Sequence, residues 1–310
     1  MADGTDEWLN QISTRKIRCS RKCNVRIKRV FRHENRIYLF LLPSLIGLAV
    51  FFVWPFGLSV YYAIIDNVVS RQFVGFDNLI ATWNNTAFSL AVRNTLVFMG
   101  VSIPLNMALA LTLALLLRPM NKTLRRVLLV FFLLPLVIPS GSVVFFWRNF
   151  ISLNGMLNRL FFASNPTDWL NSAYAMWFVI GVFIWKNVGF NMILFQTGLD
   201  FIPKDYYEYA EIEGAGWFRK FRIVTLTYLG PTFLLVFILS VVNSFKVFRE
   251  IYLLTGAYPN MNIYLLQHFL NNQFANLNYQ LMASASFYIF GFILVLVFIL
   301  YWLQQRQTYL

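Results

Sequence analysis

Six apolar stretches divide this 310-residue chain, at 37–65, 95–117, 127–146, 173–197, 224–245 and 281–303. Each is long enough to cross a bilayer as a helix, which takes about 20 residues. Lipid offers no hydrogen bonds to an open backbone, so runs of this length dictate helices. The expected fold is an all-α integral membrane protein with six transmembrane helices. Composition agrees: 13% of the residues are charged and 33 are Phe, whereas a soluble domain carries about 25% charged residues. One soluble core of this size could not hide that much apolar surface. Pro43, Pro55, Pro104, Pro135 and Pro139 fall inside or near the ends of the first three runs. Membrane helices tolerate them where neighbours re-satisfy the freed backbone groups, and such helices tend to line a cavity.

The net charge of +13 is concentrated: Arg15, Lys16, Arg18, Arg21, Lys22, Arg26, Lys28, Arg29, Arg32 and Arg36 all precede the first run. Residues 1–36 therefore read as a basic cytoplasmic tail, able to contact anionic lipid, and 37–310 as the membrane domain. Nucleic-acid binding is set aside, because the same charges are a topology signal. Arg118, Lys122, Arg125 and Arg126 follow the second run, and Lys204, Arg219, Lys220 and Arg222 follow the fourth. The alternate connections hold only Arg71 and Arg93, Arg148 and Arg159, and Lys246 and Arg249. The positive-inside rule puts both termini, 118–126 and 201–222 in the cytoplasm, with 73–86 and 260–278 outside. The first 36 residues lack the apolar core of a cleavable signal peptide. Cys19 and Cys23 alone do not complete a zinc site, His33 and His268 stand far apart, and no enzyme signature or metal cluster is visible.

The segment 204–227 is the odd one, since Asp205, Glu208, Glu211 and Glu213 crowd a cytoplasmic connection. Nothing breaks a helix over 204–212, and Tyr206, Tyr209 and Ile212 give it a modest apolar face. Gly214 and Gly216 interrupt it, and a second helical stretch from Trp217, carrying Phe218, Phe221 and Val224, leads into the fifth run. The pattern predicts helix, tight glycine turn, helix. Helices that lie on lipid carry Lys and Arg on the polar face, whereas an anionic leaflet repels this one. Docking onto a soluble protein is the reading that fits.

Two membrane runs carry polar faces. In the fifth, Ser240, Asn243, Ser244 and Val247 recur at i, i+3, i+4 and i+7. Such residues either glue helices together or face a solute. In the fourth, Lys186 with Phe190 and Asn187 with Asn191 are each one turn apart. Amides beside an aromatic ring suit a sugar, and a lysine inside the membrane is either functional or snorkels toward water.

The loop resembles that of ABC importer permeases, whose pattern is E-A-A, three residues, G, nine residues, I-x-L-P. Here it reads Glu208-Tyr209-Ala210, Gly214, then Val224-Thr225-Leu226-Thr227, with Thr227 standing where the pattern has Pro. The preceding GLDFIPKDYYEYAE, and FVGFDNL at 73–79, RNTLVF at 93–98, WKNVGFNMILFQTGL at 185–199 and IYLLTGAYP at 251–259, are similar to the carbohydrate-uptake, maltose-type branch. The resemblance implies a type I importer permease fold of six helices and a coupling loop at about 200–227. Glu208, Ala210, Glu213, Gly214 and Ala215 would dock an ATPase there. It implies as partners a second permease subunit in a heterodimer, two ATP-binding subunits that carry ATP and magnesium, and an extracellular solute-binding protein. No cofactor is expected on this chain, which lacks the G-x-x-x-x-G-K-[ST] loop. Alignment on LLTGAYP puts Ser240, Asn243, Ser244 and Val247 at sugar-contacting positions, facing Lys186, Asn187, Phe190 and Asn191. A secondary transporter with a mid-membrane polar site, a channel and a membrane scaffold are the rival readings.

Overall fold

The structure, a computed structural model, describes residues 40–308. The basic tail, with Cys19, Cys23 and His33, lies outside the described residues. The chain divides into two units between Tyr61 and Tyr62, and each is taken by itself.

The first unit is described over 40–61 and holds most of helix α1 (Phe40–Ala63), none of whose apolar window is buried. Its bodily exposed Phe51, Phe52 and Trp54 suit contact with lipid or another chain. In a regular helix the ring of Pro55 would collide with the carbonyl four residues earlier. A π turn over Ala49–Val53 widens the helix at that place, with Trp54 N–H donating to Ala49 O.

The second unit, 62–308, is built of helices joined by turns and loops, with one isolated β-bridge between Ile65 and Phe73 among the described residues. A short helix α2 (Asp77–Trp83) precedes α3 (Thr86–Leu117). The latter begins at Thr86 rather than Thr95, because the Asn85 side chain accepts from the amides of Ala87 and Phe88 and caps it there. The third apolar run, read as one span over 127–146, is corrected to two helices. These are α4 (Lys122–Val137) and α5 (Ser140–Ile151), followed by α6 (Met156–Phe161). The pair is bent by 91°. Pro139 is the cause: it pushes Ile138 out of the helical region, to φ −65° and ψ 129°.

Helix α7 (Ala175–Asp200) is the fourth span, and α8 (Lys204–Ile212) and α9 (Trp217–Lys220) form the loop that follows. The fifth span also departs from its expected bounds of 224–245. A π turn at Phe221–Thr225 and a short helix Leu226–Tyr228 precede it, and α10 starts at Gly230–Lys246 with Pro231 in its opening positions. Proline suits a first helical turn, where its missing N–H is not needed. Pro231 does here what the Pro absent at position 227 would have done. After a turn at Val247 the helix resumes as α11 (Phe248–Thr255). Lys246 and Arg249, read as an external connection, therefore lie within the Gly230–Thr255 span. Helices α12 (Leu266–Ala275) and α13 (Tyr279–Thr308) complete the described chain. Among the described residues five helical stretches are long and apolar enough to cross a membrane, or six with the bent pair.

Helix α7 is the hub. It packs on α3 through Phe98 and Phe183, whose rings meet edge to face at 5.4 Å, and on α4 through Gly189. A Cβ on Gly189 would strike the backbone of Phe132, so only glycine permits this approach. The connections gather at opposite ends of α3. At its start, Asn94 donates to the carbonyls of Met261 and Tyr264 at 2.6 and 3.0 Å, and the Tyr288 hydroxyl to Leu79 O at 3.0 Å. At its finish, the Arg118 guanidinium lies 4.6 Å over the Tyr207 ring, and Arg125 pairs with Asp200 at 3.2 Å.

Candidate functional site

The two helix breaks just described meet α7 around one cavity of about 320 Å³. Residues 136–140 of the α4–α5 break form one wall, and Val182, Phe183, Lys186 and Asn187 of α7 a second. Asn243, Lys246, Val247, Arg249 and Glu250 at the α10–α11 turn form the third. The volume falls at the small end of the range for ligand pockets, about 300–1,000 Å³.

At its centre Lys186 Nζ donates to a carboxylate oxygen of Glu250 and to Ser140 Oγ at 3.3 Å, and Ser140 Oγ donates to the same carboxylate oxygen at 2.9 Å. The Lys186 and Glu250 side chains are only 17% and 7% exposed. Three spans are thereby tied at one point, and the membrane lysine gains the counter-charge that makes its burial tolerable. Local sequence puts each group there: Pro139 makes Ser140 the first residue of α5, and the turn at Val247 rotates Glu250 inward.

Of the eight residues expected to contact a solute, four line the cavity together: Lys186, Asn187, Asn243 and Val247. Asn187 Nδ2 donates to Phe183 O at 2.8 Å, and Asn243 Oδ1 accepts from Lys246 at 2.9 Å. The others sit elsewhere. Asn191 donates to Ser240 Oγ at 2.9 Å, a buried bond between α7 and α10 of the helix-joining kind. Ser244 Oγ donates to Val241 O in its own helix at 2.6 Å, and half-buried Phe190 is not part of the lining. Sequence reasoning missed Glu250, Ser140, Lys246 and Arg249. Its available signal was Glu250 itself, the sole acidic residue after Glu213.

The loop has the expected form. Helix α8 ends in a turn where Ala215 N–H donates to Ala210 O and Gly214 N–H to Glu211 O, both at 2.9 Å, with Gly214 at φ +73°. This is the Schellman closure, which needs the left-handed region at the glycine. Ala210 and Tyr207 pack inward on the core, the Tyr207 hydroxyl bonds Thr225 Oγ1 at 3.0 Å, and Ala215 is buried. Glu208 and Glu213 are exposed. So are Tyr209 and Ile212, the latter by 83%, and Trp217 and Phe218 beyond the turn. The loop is thus braced on one side and bare on the other.

On the opposite end of the spans, His268 of α12 is fully buried and its Nδ1 accepts from Leu265 N–H at 3.1 Å. Burial pushes its pKa down to about 4. Among the described residues no group of His, Cys, Asp and Glu could hold a metal.

Broken spans around a polar cavity, with a braced loop at one end, define a multi-pass membrane protein of the permease type. The chain belongs to the family described as "Binding-protein-dependent transport system inner membrane component", which matches residues 110–309. It is therefore a permease component and not an enzyme. The trehalose/maltose transport system permease protein MalF of Thermococcus litoralis is 30% identical over 244 residues, 76% of this chain and 82% of that one. The sn-glycerol-3-phosphate transport system permease protein UgpA of Yersinia enterocolitica is 29% identical over 231 residues, 72% of this chain and 77% of that one. A solved bacterial ABC transporter involved in import of the acidic polysaccharide alginate shares the fold, with a TM-score of 0.78 at 21% identity. That match covers 91% of this chain and 99% of the other.

Proposed function

We propose that this chain is one permease half of an ATP-driven sugar importer, and that the 204–227 loop docks an ATP-hydrolysing subunit. The observation that carries the reading is the two-sidedness of α8. Its inner face is fixed to the feet of α3, α7 and α10, while its outer face presents Tyr209 and Ile212 among carboxylates. A free apolar face ringed by acids fits a groove on a soluble protein better than an anionic membrane surface. Motion of the docked partner would pass through Tyr207 and Ala210 into the spans that wall the cavity. ATP and magnesium would then belong to two partner subunits. A second permease would complete the path, and an extracellular binding protein would deliver solute. On this reading 118–126, 201–222 and both termini are cytoplasmic.

Sugar is the solute class we infer, with Asn187 and Asn243 offering amides to hydroxyls across the cavity and Val247 an apolar contact. Asn191 and Ser240 fasten α7 to α10, and Ser244 bonds within its own helix. The solutes named for the two relatives, a neutral disaccharide and a phosphate ester, leave the charge of this one open. Purification of the tagged chain from its own cells tests the assembly. A second permease and an ATPase should accompany it, and Glu208→Lys should release the ATPase. A solitary chain that carries sugar without ATP would overturn the proposal.

A further inference from the structure

The cavity walls carry more positive charge than they neutralise. Four ionisable side chains line them: Lys186, Lys246, Arg249 and Glu250. The carboxylate is engaged by Lys186 and Ser140. Lys246 has only the neutral Asn243 oxygen at 2.9 Å, and Arg249 has no ion pair among the described residues. Glu250 is the one acid among the residues that line the cavity. Within helices α3 to α7 and α10 to α13 the remaining carboxylate is Asp200, at the end of α7, paired with Arg125.

A second observation points the same way. The 12-residue helix α5 opens at the cavity, and its first backbone bond inside the helix runs from Ser142 to Pro139. The amides of Ser140 and Gly141 precede that bond, at the positive end of the helix dipole. The N-terminus of a broken membrane helix is suited to anionic groups. The wall is thus rich in donors and poor in acceptors. Lys246 and Arg249 are exposed at the open side of the cavity, where an entering anion can meet both.

We propose that the cavity takes a sugar bearing an oxyanion, whether a uronate carboxylate or a phosphate or sulfonate group. Lys246, Arg249 and the start of α5 hold the anion, and the amides of Asn187 and Asn243 meet the hydroxyls. The Lys186–Glu250 pair forms a neutral wall beside it. This rests on the sugar-importer reading above and adds the charge of the solute.

The test uses the complete importer, with its own partner subunits and binding protein, in proteoliposomes. Uptake of labelled oligogalacturonates and hexose phosphates is compared with that of malto-oligosaccharides. The wild type should carry an anionic probe in preference. Lys246→Gln with Arg249→Gln should slow that uptake by about ten- to a hundredfold, as loss of charge-assisted bonds implies. The binding protein's own affinity should not change. Lys246→Arg and Arg249→Lys, which keep the charge, should retain most of the rate and so separate charge from folding. Uptake of neutral probes alone, or anionic uptake indifferent to the Gln pair, would overturn the proposal and leave the sugar reading standing. The latter result would fit an acid from the second permease covering both cations. Uptake of neither class would strike the sugar reading itself.

Discussion

Removing the Glu250 carboxylate should destabilise the protein more than removing both partners of its ion pair. Glu250 is 7% exposed and Lys186 17%, and one carboxylate oxygen serves both Lys186 and Ser140. Glu250→Ala leaves the ammonium buried with Ser140 Oγ at 3.3 Å as its remaining partner. Breaking such a pair from one side costs about 3–5 kcal/mol, whereas an exposed pair is worth about 0–1 kcal/mol. The burial here places it in the first class. Glu250→Gln keeps an acceptor for both donors and should fall between. Lys186→Met with Glu250→Leu removes both desolvation penalties and fills the space, so it should recover most of the loss. Thermal unfolding of the purified complex, at fixed detergent and protein concentration, measures the cycle. A Glu250→Ala complex as stable as wild type, or a double variant whose loss equals the sum of the single losses, would refute the reasoning.

Other substitutions test the loop, the hub and the outer connection. Gly214→Val forces a β-branched residue to φ +73° with nothing within 4 Å to clash. The expected loss is therefore backbone strain of about 1–3 kcal/mol, read as weakened ATPase attachment with normal membrane levels. Gly214→Asn should be milder, because Asn tolerates that region. Gly189→Leu must push α4 from α7, as even a Cβ meets the Phe132 backbone. A fall in assembled complex is expected, by about 1–3 kcal/mol or more of overpacking. His268 titrates near 4 when folded and near 6.5 when unfolded. Its contribution is thus complete above pH 6.5 and is lost as pH falls through 4, by about 3 kcal/mol in all. His268→Gln should flatten the stability profile over that window.

Apolar length made the spans legible, and the loop's glycines announced its turn, because both are local properties of the chain. Where the readings departed, a single residue outweighed a window average. Pro139 split the third span, Asn85 moved the start of α3, and Pro231 moved that of α10. The cavity was half legible. Lys186, Asn187, Asn243 and Val247 stood out as polar or small on helical faces. Lys246 and Arg249 were read as a loop because charge ordinarily ends a membrane run, and Glu250 went unread; the helix resumes after the turn at Val247, which sets all three on the cavity wall. Helical periodicity likewise could not tell Ser240, which faces Asn191, from Asn243, which faces the cavity, since the two are one turn apart on the same helix.

The central claim, a permease moved by a docked ATPase, is tested most directly by uptake of labelled oligosaccharide into proteoliposomes holding the full complex. Uptake should require ATP on the side of the α8 loop and binding protein on the other, stop with Gly214→Val, and ignore ionophores that collapse proton and sodium gradients. Uptake that continues without ATP and vanishes with the ionophores would mean that the chain works as a gradient-driven carrier and that the α8 loop does not drive it.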